Sequence, residues 1–130
     1  MIGLDTTAII DLFKGDESVR EVVENIKEPL ASTIINHQEI MFGIDSTDRK
    51  YKNESEYYEK FFADIPIIQL DIESSKKSAE VFWKLRKEGK EIGRSDCIVA
   101  GIFLSNGINK LITKNVSHFK AIKELKVIAY

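Results

Sequence analysis

The sequence predicts an α/β fold built on a central, mostly parallel sheet, and two patterns carry that prediction. Short apolar runs alternate with longer segments of helical periodicity along the whole chain, the order that builds a parallel sheet covered by helices. The segment 95–105 (SDCIVAGIFLS) is apolar on nearly every face beyond its first turn, and such a helix belongs between other layers. A chain of 130 residues has the size of one domain, and residues 1–130 are read as one.

The elements follow in order. Met1 to Leu4 is an apolar strand that stops at Asp5. Residues 6–14 (TTAIIDLFK) read as a helix opened by a Thr cap and closed by Gly15. Asp16 caps a second helix, in which Val19, Val22, Val23 and Ile26 share one face, with Pro29 as its stop. Leu30 to Thr33 is a strand and 34–44 (IINHQEIMFGI) a helix. The polar stretch 45–55 (DSTDRKYKNES) reads as a long exposed connection. Tyr57, Tyr58, Phe61 and Phe62 then form an aromatic stripe at helical spacing. Ile67 to Leu70 is a strand, 71–88 an amphipathic helix ending at Gly89, and Lys110 to Thr113 and Lys126 to Ala129 are the last strands.

Composition narrows the class. With 43% hydrophobic and 31% charged residues, the chain reads as a soluble globular protein. Its apolar runs fall short of the roughly 18 residues that span a bilayer, and MIGLDTTAII lacks the basic opening of a signal peptide. One cysteine, Cys97, leaves no disulfide framework or cysteine zinc site; a cytoplasmic location is expected. The net charge of −2 argues against holding long duplexes by bulk electrostatics. It leaves room for an enzyme whose metal neutralises a phosphate.

Three carboxylates stand out. In open parallel sheets, ligands collect at the carboxyl ends of strands. Asp5 ends the first strand, Asp96 opens the buried helix after Gly93-Arg94-Ser95, and Thr113 and Asn115 follow the fourth strand. Glu39 sits among Ile34, Ile35, Ile40, Met41 and Ile44. Each acid has a plain alternative, as a helix cap for Asp96 or a solvent-side residue for Glu39. Asp5 is desolvated at the inner end of a strand, which is costly unless it is paired or metal-bound. Together the three read as a hard-cation site for Mg²⁺ or Mn²⁺.

These residues resemble a known family. Leu4-Asp5-Thr6-Thr7-Ala8-Ile9-Ile10 looks like the opening of PIN domains, 32–44 (STIINHQEIMFGI) is similar to their second motif, and Ser95-Asp96-Cys97-Ile98-Val99-Ala100 followed by Asn-Gly and 111–119 (LITKNVSHF) to their last. The order and spacing look like the VapC toxins of VapBC toxin–antitoxin pairs. The resemblance implies a PIN-like three-layer sandwich of four or five strands and a Mg²⁺- or Mn²⁺-dependent endoribonuclease toxin. It further implies a cognate VapB-type antitoxin and a homodimer. Asp5, Glu39 and Asp96 would be metal ligands. Asn115 stands where many relatives carry a fourth acid, and His118 where many carry Asp.

From the chemistry of such a site, hydrolysis by a water-derived hydroxide is expected, giving 5′-phosphate and 3′-hydroxyl ends. Thr6, Thr7 and Thr113 would hold carboxylates or metal waters, or equally cap helices. Lys87, Lys90, Arg94 and Lys114 form either a solvated surface or a rim leading RNA to the acids. His37 and His118 read either as general bases or ligands, or more readily as helix-side or capping residues. Tyr57, Tyr58, Phe61 and Phe62 are core, a groove for a partner helix or a dimer contact, and the resemblance favours the antitoxin there. Two other readings remain: an RNA-processing PIN nuclease without an antitoxin, and a weakly catalytic RNA-binding module.

Overall fold

The computed structural model describes all 130 residues. Its order is β1 (Ile2–Leu4), α1 (Thr6–Phe13), α2 (Glu17–Asn25), β2 (Leu30–Thr33), α3 (Ile34–Phe42), a 3₁₀ turn at Arg49–Tyr51, α4 (Lys52–Asp64), β3 (Ile67–Ile68), α5 (Ile72–Lys87), α6 (Arg94–Ser105), β4 (Lys110–Ile112), α7 (Val116–Phe119) and β5 (Lys126–Ile128). The five strands lie in the order β3-β2-β1-β4-β5. All four pairings are parallel. The α/β expectation is thus met, with every strand parallel.

Side chains alternate across the sheet and split the core in two. On one face Ala31 and Leu111 pack with Val81 and Leu85 of α5 and with Val99, Ala100 and Phe103 of α6. On the other, Ile2, Leu4 and Ile112 meet Ala8, Ile9, Val19, Ile40 and Tyr58, supplied by α1 to α4. Gly3 marks where α6 crosses the central strand. A β-carbon there would lie 2.6 Å from Cζ of Phe103, so the buried ring can rest on β1 only because residue 3 has no side chain. Likewise a β-carbon on Gly101 would lie 2.7 Å from the Ser78 backbone nitrogen, which lets α5 and α6 pack closely.

Several local expectations need correction. Asp5, with extended backbone, occupies the cap position of α1 and makes no side-chain cap bond; no Thr caps this helix, because the strand runs straight into its first turn. Helix α2 stops at Asn25, four residues before Pro29. The polar stretch 45–55 is not one long connection. Asp48 accepts from the Lys50 backbone to start the 3₁₀ turn, and α4 begins at Lys52. The short helix α7 had no counterpart in the sequence reading. Asp16 caps α2 as expected, accepting from the Val19 nitrogen at 3.1 Å. No helix is long and apolar enough to cross a membrane.

Candidate active site

The carboxyl edge of the sheet brings the three acids together. Asp5 follows β1 directly and is only 4% exposed. Its Oδ2 accepts from the Thr113 hydroxyl at 2.7 Å and from Thr7 at 3.4 Å, and its Oδ1 accepts from Asn36 Nδ2 at 3.1 Å. Glu39, on the second turn of α3, is exposed, and its Oε1 accepts from the Thr6 hydroxyl at 3.2 Å. Asp96, in the first turn of α6, has Oδ2 2.9 Å from Nδ1 of His118.

The acids feel one another. Burial pushes the Asp5 carboxyl above the usual carboxylate range against the pull of its hydrogen bonds, and the negative charge of Asp96 adds to the rise. Glu39 is raised first by partial loss of water, then by the charges of Asp5 and Asp96. Neither Asp5 nor Glu39 has a Lys or Arg within ion-pair distance, and Asp96 meets only His118. Such a cluster of unneutralised oxygens fits a hard divalent cation, with Asp5, Glu39 and Asp96 as the donors. The side chains are not drawn into a closed cage, since no group of three or more acidic, His or Cys side chains stands close enough to grip an ion jointly. Mg²⁺ retains several waters, through which acids that stand apart can hold it.

The threonines lie where the sequence suggested. Thr7 Oγ1 is 3.3 Å from Thr113 Oγ1 and accepts from the Lys114 nitrogen at 3.1 Å, while the Asn115 nitrogen donates to Thr113 at 3.0 Å. The Asn115 side chain makes no cap bond at the start of α7. Two residues matter more than sequence reasoning allowed. Asn36, fully buried, accepts from Thr33 at 2.7 Å and donates to both Asp5 and Thr6, the latter at 2.9 Å. It therefore links Asp5 to Glu39 through Thr6. Its place one turn before Glu39 on an apolar helix was the available signal, because a buried amide must be satisfied. His118 lies on the short helix α7, as the helix-side reading has it, and also contacts Asp96.

The basic residues are dispersed around this edge. Lys90 pairs with Glu88 at 3.4 Å and Lys114 with Asp11 at 3.8 Å; Lys87 is exposed, and Arg94 lies 5.9 Å from the Phe82 ring centroid. The aromatic stripe divides. Tyr58 is 3% exposed and packs on Phe13 at 5.3 Å, so its ring offers nothing to a partner, because α4 turns it into the core. Tyr57 lies at the rim, and Phe61 and Phe62 are half-buried, Phe62 meeting His37 edge-on at 4.7 Å.

Residues 2–125 match the family model of the PIN domain. A comparison with the curated proteins gives no match. Among solved structures, the chain is similar to VapBC2 from Rickettsia felis, solved bound to a promoter DNA fragment. That similarity has a TM-score of 0.85 and 22% identity over 100% of this chain and 99% of that one. It is similar to VapBC-1 from nontypeable Haemophilus influenzae, with TM-score 0.80, 26% identity, and 99% and 98% covered. A more distant likeness is to VapC20 of Mycobacterium tuberculosis, described as a sarcin–ricin loop-cleaving toxin, with TM-score 0.63, 10% identity, and 85% and 87% covered.

Proposed function

Because the chain belongs to the PIN-domain family, we propose that it is a Mg²⁺- or Mn²⁺-dependent endoribonuclease, the toxin of a toxin–antitoxin pair, acting as a homodimer restrained by a VapB-type antitoxin. The observation that carries the catalytic reading is the set of three mutually repelling carboxylates with no Lys or Arg in ion-pair contact, Asp96 alone meeting His118. The antitoxin reading rests on the likeness to structures described as VapBC complexes. The exposed flank of α4, with Tyr57, Phe61 and Phe62, would receive that partner.

A bound divalent ion would supply charge relief at the scissile phosphate and a more acidic water. The chain's own residues do the positioning. Thr113 and Asn36 each hold one oxygen of Asp5, which fixes the plane of its carboxylate. Thr6 steadies Glu39, which is placed to orient the attacking water or accept its proton. His118 holds Asp96 from the outer side. Asn115 offers an uncharged oxygen where a fourth acid would strengthen a second ion.

Cleavage of a labelled single-stranded RNA panel in Mg²⁺, Mn²⁺ or EDTA tests this reading. Activity should vanish in EDTA and in Asp5→Asn and Asp96→Asn. Cleavage that survives chelation or either substitution would sink the metal-site mechanism.

A further inference from the structure

Beside the acids, α5, the loop at 88–93 and the start of α6 enclose two adjoining depressions of about 270 and 230 Å³. They share Phe82, Arg94 and Cys97 and so form one groove. Its wall joins aromatic and cationic side chains to aliphatic ones, with Glu91 the one carboxylate among them. The Phe82 and Trp83 rings meet edge-to-face at 5.4 Å. The Arg86 guanidinium lies 5.9 Å from both ring centroids, and that of Arg94 lies 5.9 Å from Phe82. Neither guanidinium has a carboxylate within ion-pair distance, and Trp83 is 55% exposed.

Guanidiniums laid over aromatic rings keep their donors directed outward, in the fork that matches phosphate oxygens. Exposed rings beside them accept a base face to face, irrespective of base identity. Covering the groove with an apolar protein surface would instead bury two charges without partners, at a cost of several kcal/mol each. The groove also leads to the acids. Gly93 lines it, and a β-carbon at that position would lie 3.9 Å from Oδ2 of Asp96. No side chain at 93 stands between the groove and that carboxylate.

Resting on the ribonuclease reading above, we infer that this groove is a nucleotide subsite for single-stranded RNA. An unpaired base stacks on Trp83, Arg86 and Arg94 take the adjoining phosphates, and the strand passes over Gly93 toward the acids.

Trp83 is the only tryptophan in the chain, so its emission reports on the groove directly. In an Asp5→Asn background with Mg²⁺, titration with oligouridine or oligoadenosine octamers should quench that emission saturably. Anisotropy of a labelled octamer should show binding weakened about fivefold or more by Trp83→Ala, the lower end of what a stacked base contributes. Arg86→Gln should weaken binding and make its salt dependence shallower, because it removes a phosphate contact. Unchanged thermal melts would show that both variants fold. Wild-type cleavage that remains metal-dependent, with no quenching and unchanged binding by Trp83→Ala, would overturn the subsite and leave the ribonuclease reading standing. A self-association that Trp83→Ala abolishes, without quenching by RNA, would assign the face to a second copy and equally overturn it. Absence of metal-dependent cleavage by the wild type would remove the reading on which the subsite rests.

Discussion

Replacing Asn36 by Ala would separate a residue that organises the acids from one that only fills the core. The amide donates to Asp5 at 3.1 Å and to Thr6 at 2.9 Å and accepts from Thr33 at 2.7 Å, all in a fully buried setting. A hydrogen bond to a charged group contributes about 1.5–3 kcal/mol and a neutral one about 1 kcal/mol. Allowing for relaxation, the loss comes to about 2–4 kcal/mol, or roughly 10 °C in Tm for a chain of this size. The functional effect is distinct from the stability effect. Without its Asn36 donor the Asp5 carboxylate loses one of its two fixed oxygens, and Thr6 loses its link to that carboxylate while still facing Glu39. Losses of such supporting contacts cost about 10–100-fold in metal affinity or activity. The assay is RNA cleavage at a temperature where the variant is folded, titrated with Mn²⁺, alongside thermal unfolding. The Mn²⁺ concentration for half-maximal rate should rise at least tenfold. Asn36→Asp, which keeps the shape but sets another acid against Asp5, should be worse than Ala. A wild-type Mn²⁺ response in both variants would refute the idea that Asn36 organises the site.

Two further outcomes follow from the same geometry. Asp5 binds its proton more tightly in the folded chain than in the unfolded one, because burial raises its pKa. Its contribution to stability is therefore full below the ordinary aspartate value of about 3.9 and is lost as pH rises through the raised folded value. In metal-free protein, wild type should fall in Tm relative to Asp5→Asn as pH rises from about 4 in a fluorimetric melt; a constant difference would contradict the burial argument. Gly3→Ala should destabilise by about 1–3 kcal/mol in urea, since its β-carbon meets the Phe103 ring at 2.6 Å. Pairing it with Phe103→Leu should recover part of that loss, and additive losses would show that the ring is not the obstacle.

What the sequence disclosed was periodicity and sharp chain punctuation. The strand at Leu30–Thr33 and the buried helix after Gly93 are legible because apolar runs end at polar or glycine residues that cannot continue them. The candidate acids were legible because each is a charge where the pattern demands burial or a helix start. Features decided by partners distant in sequence were hidden. The start of α4 lies in a polar segment, since its helix depends on turning Tyr58 inward against Phe13 of α1 rather than on local pattern. Asn36 looked like an ordinary helix residue, because two of its three partners, Asp5 just past β1 and Thr6 on α1, lie 31 and 30 positions away, and only the assembled sheet edge brings them to it. His118 was similarly opaque, its contact with Asp96 spanning two elements 22 residues apart.

The strand order carries a consequence for synthesis. Strand β1 is made before the other four, yet it lies at the centre of the sheet between β2 and β4. Its second neighbour, and the Thr113 hydroxyl that holds Asp5 from 108 positions away, are made long after it. At about 5–20 residues per second, Asp5 waits some seconds before its socket exists. His118 reaches Asp96 later still. A nascent chain thus displays Asp5, Glu39 and Asp96 before it can organise them, and the assembled site exists only once β4 and the short helix after it have been made.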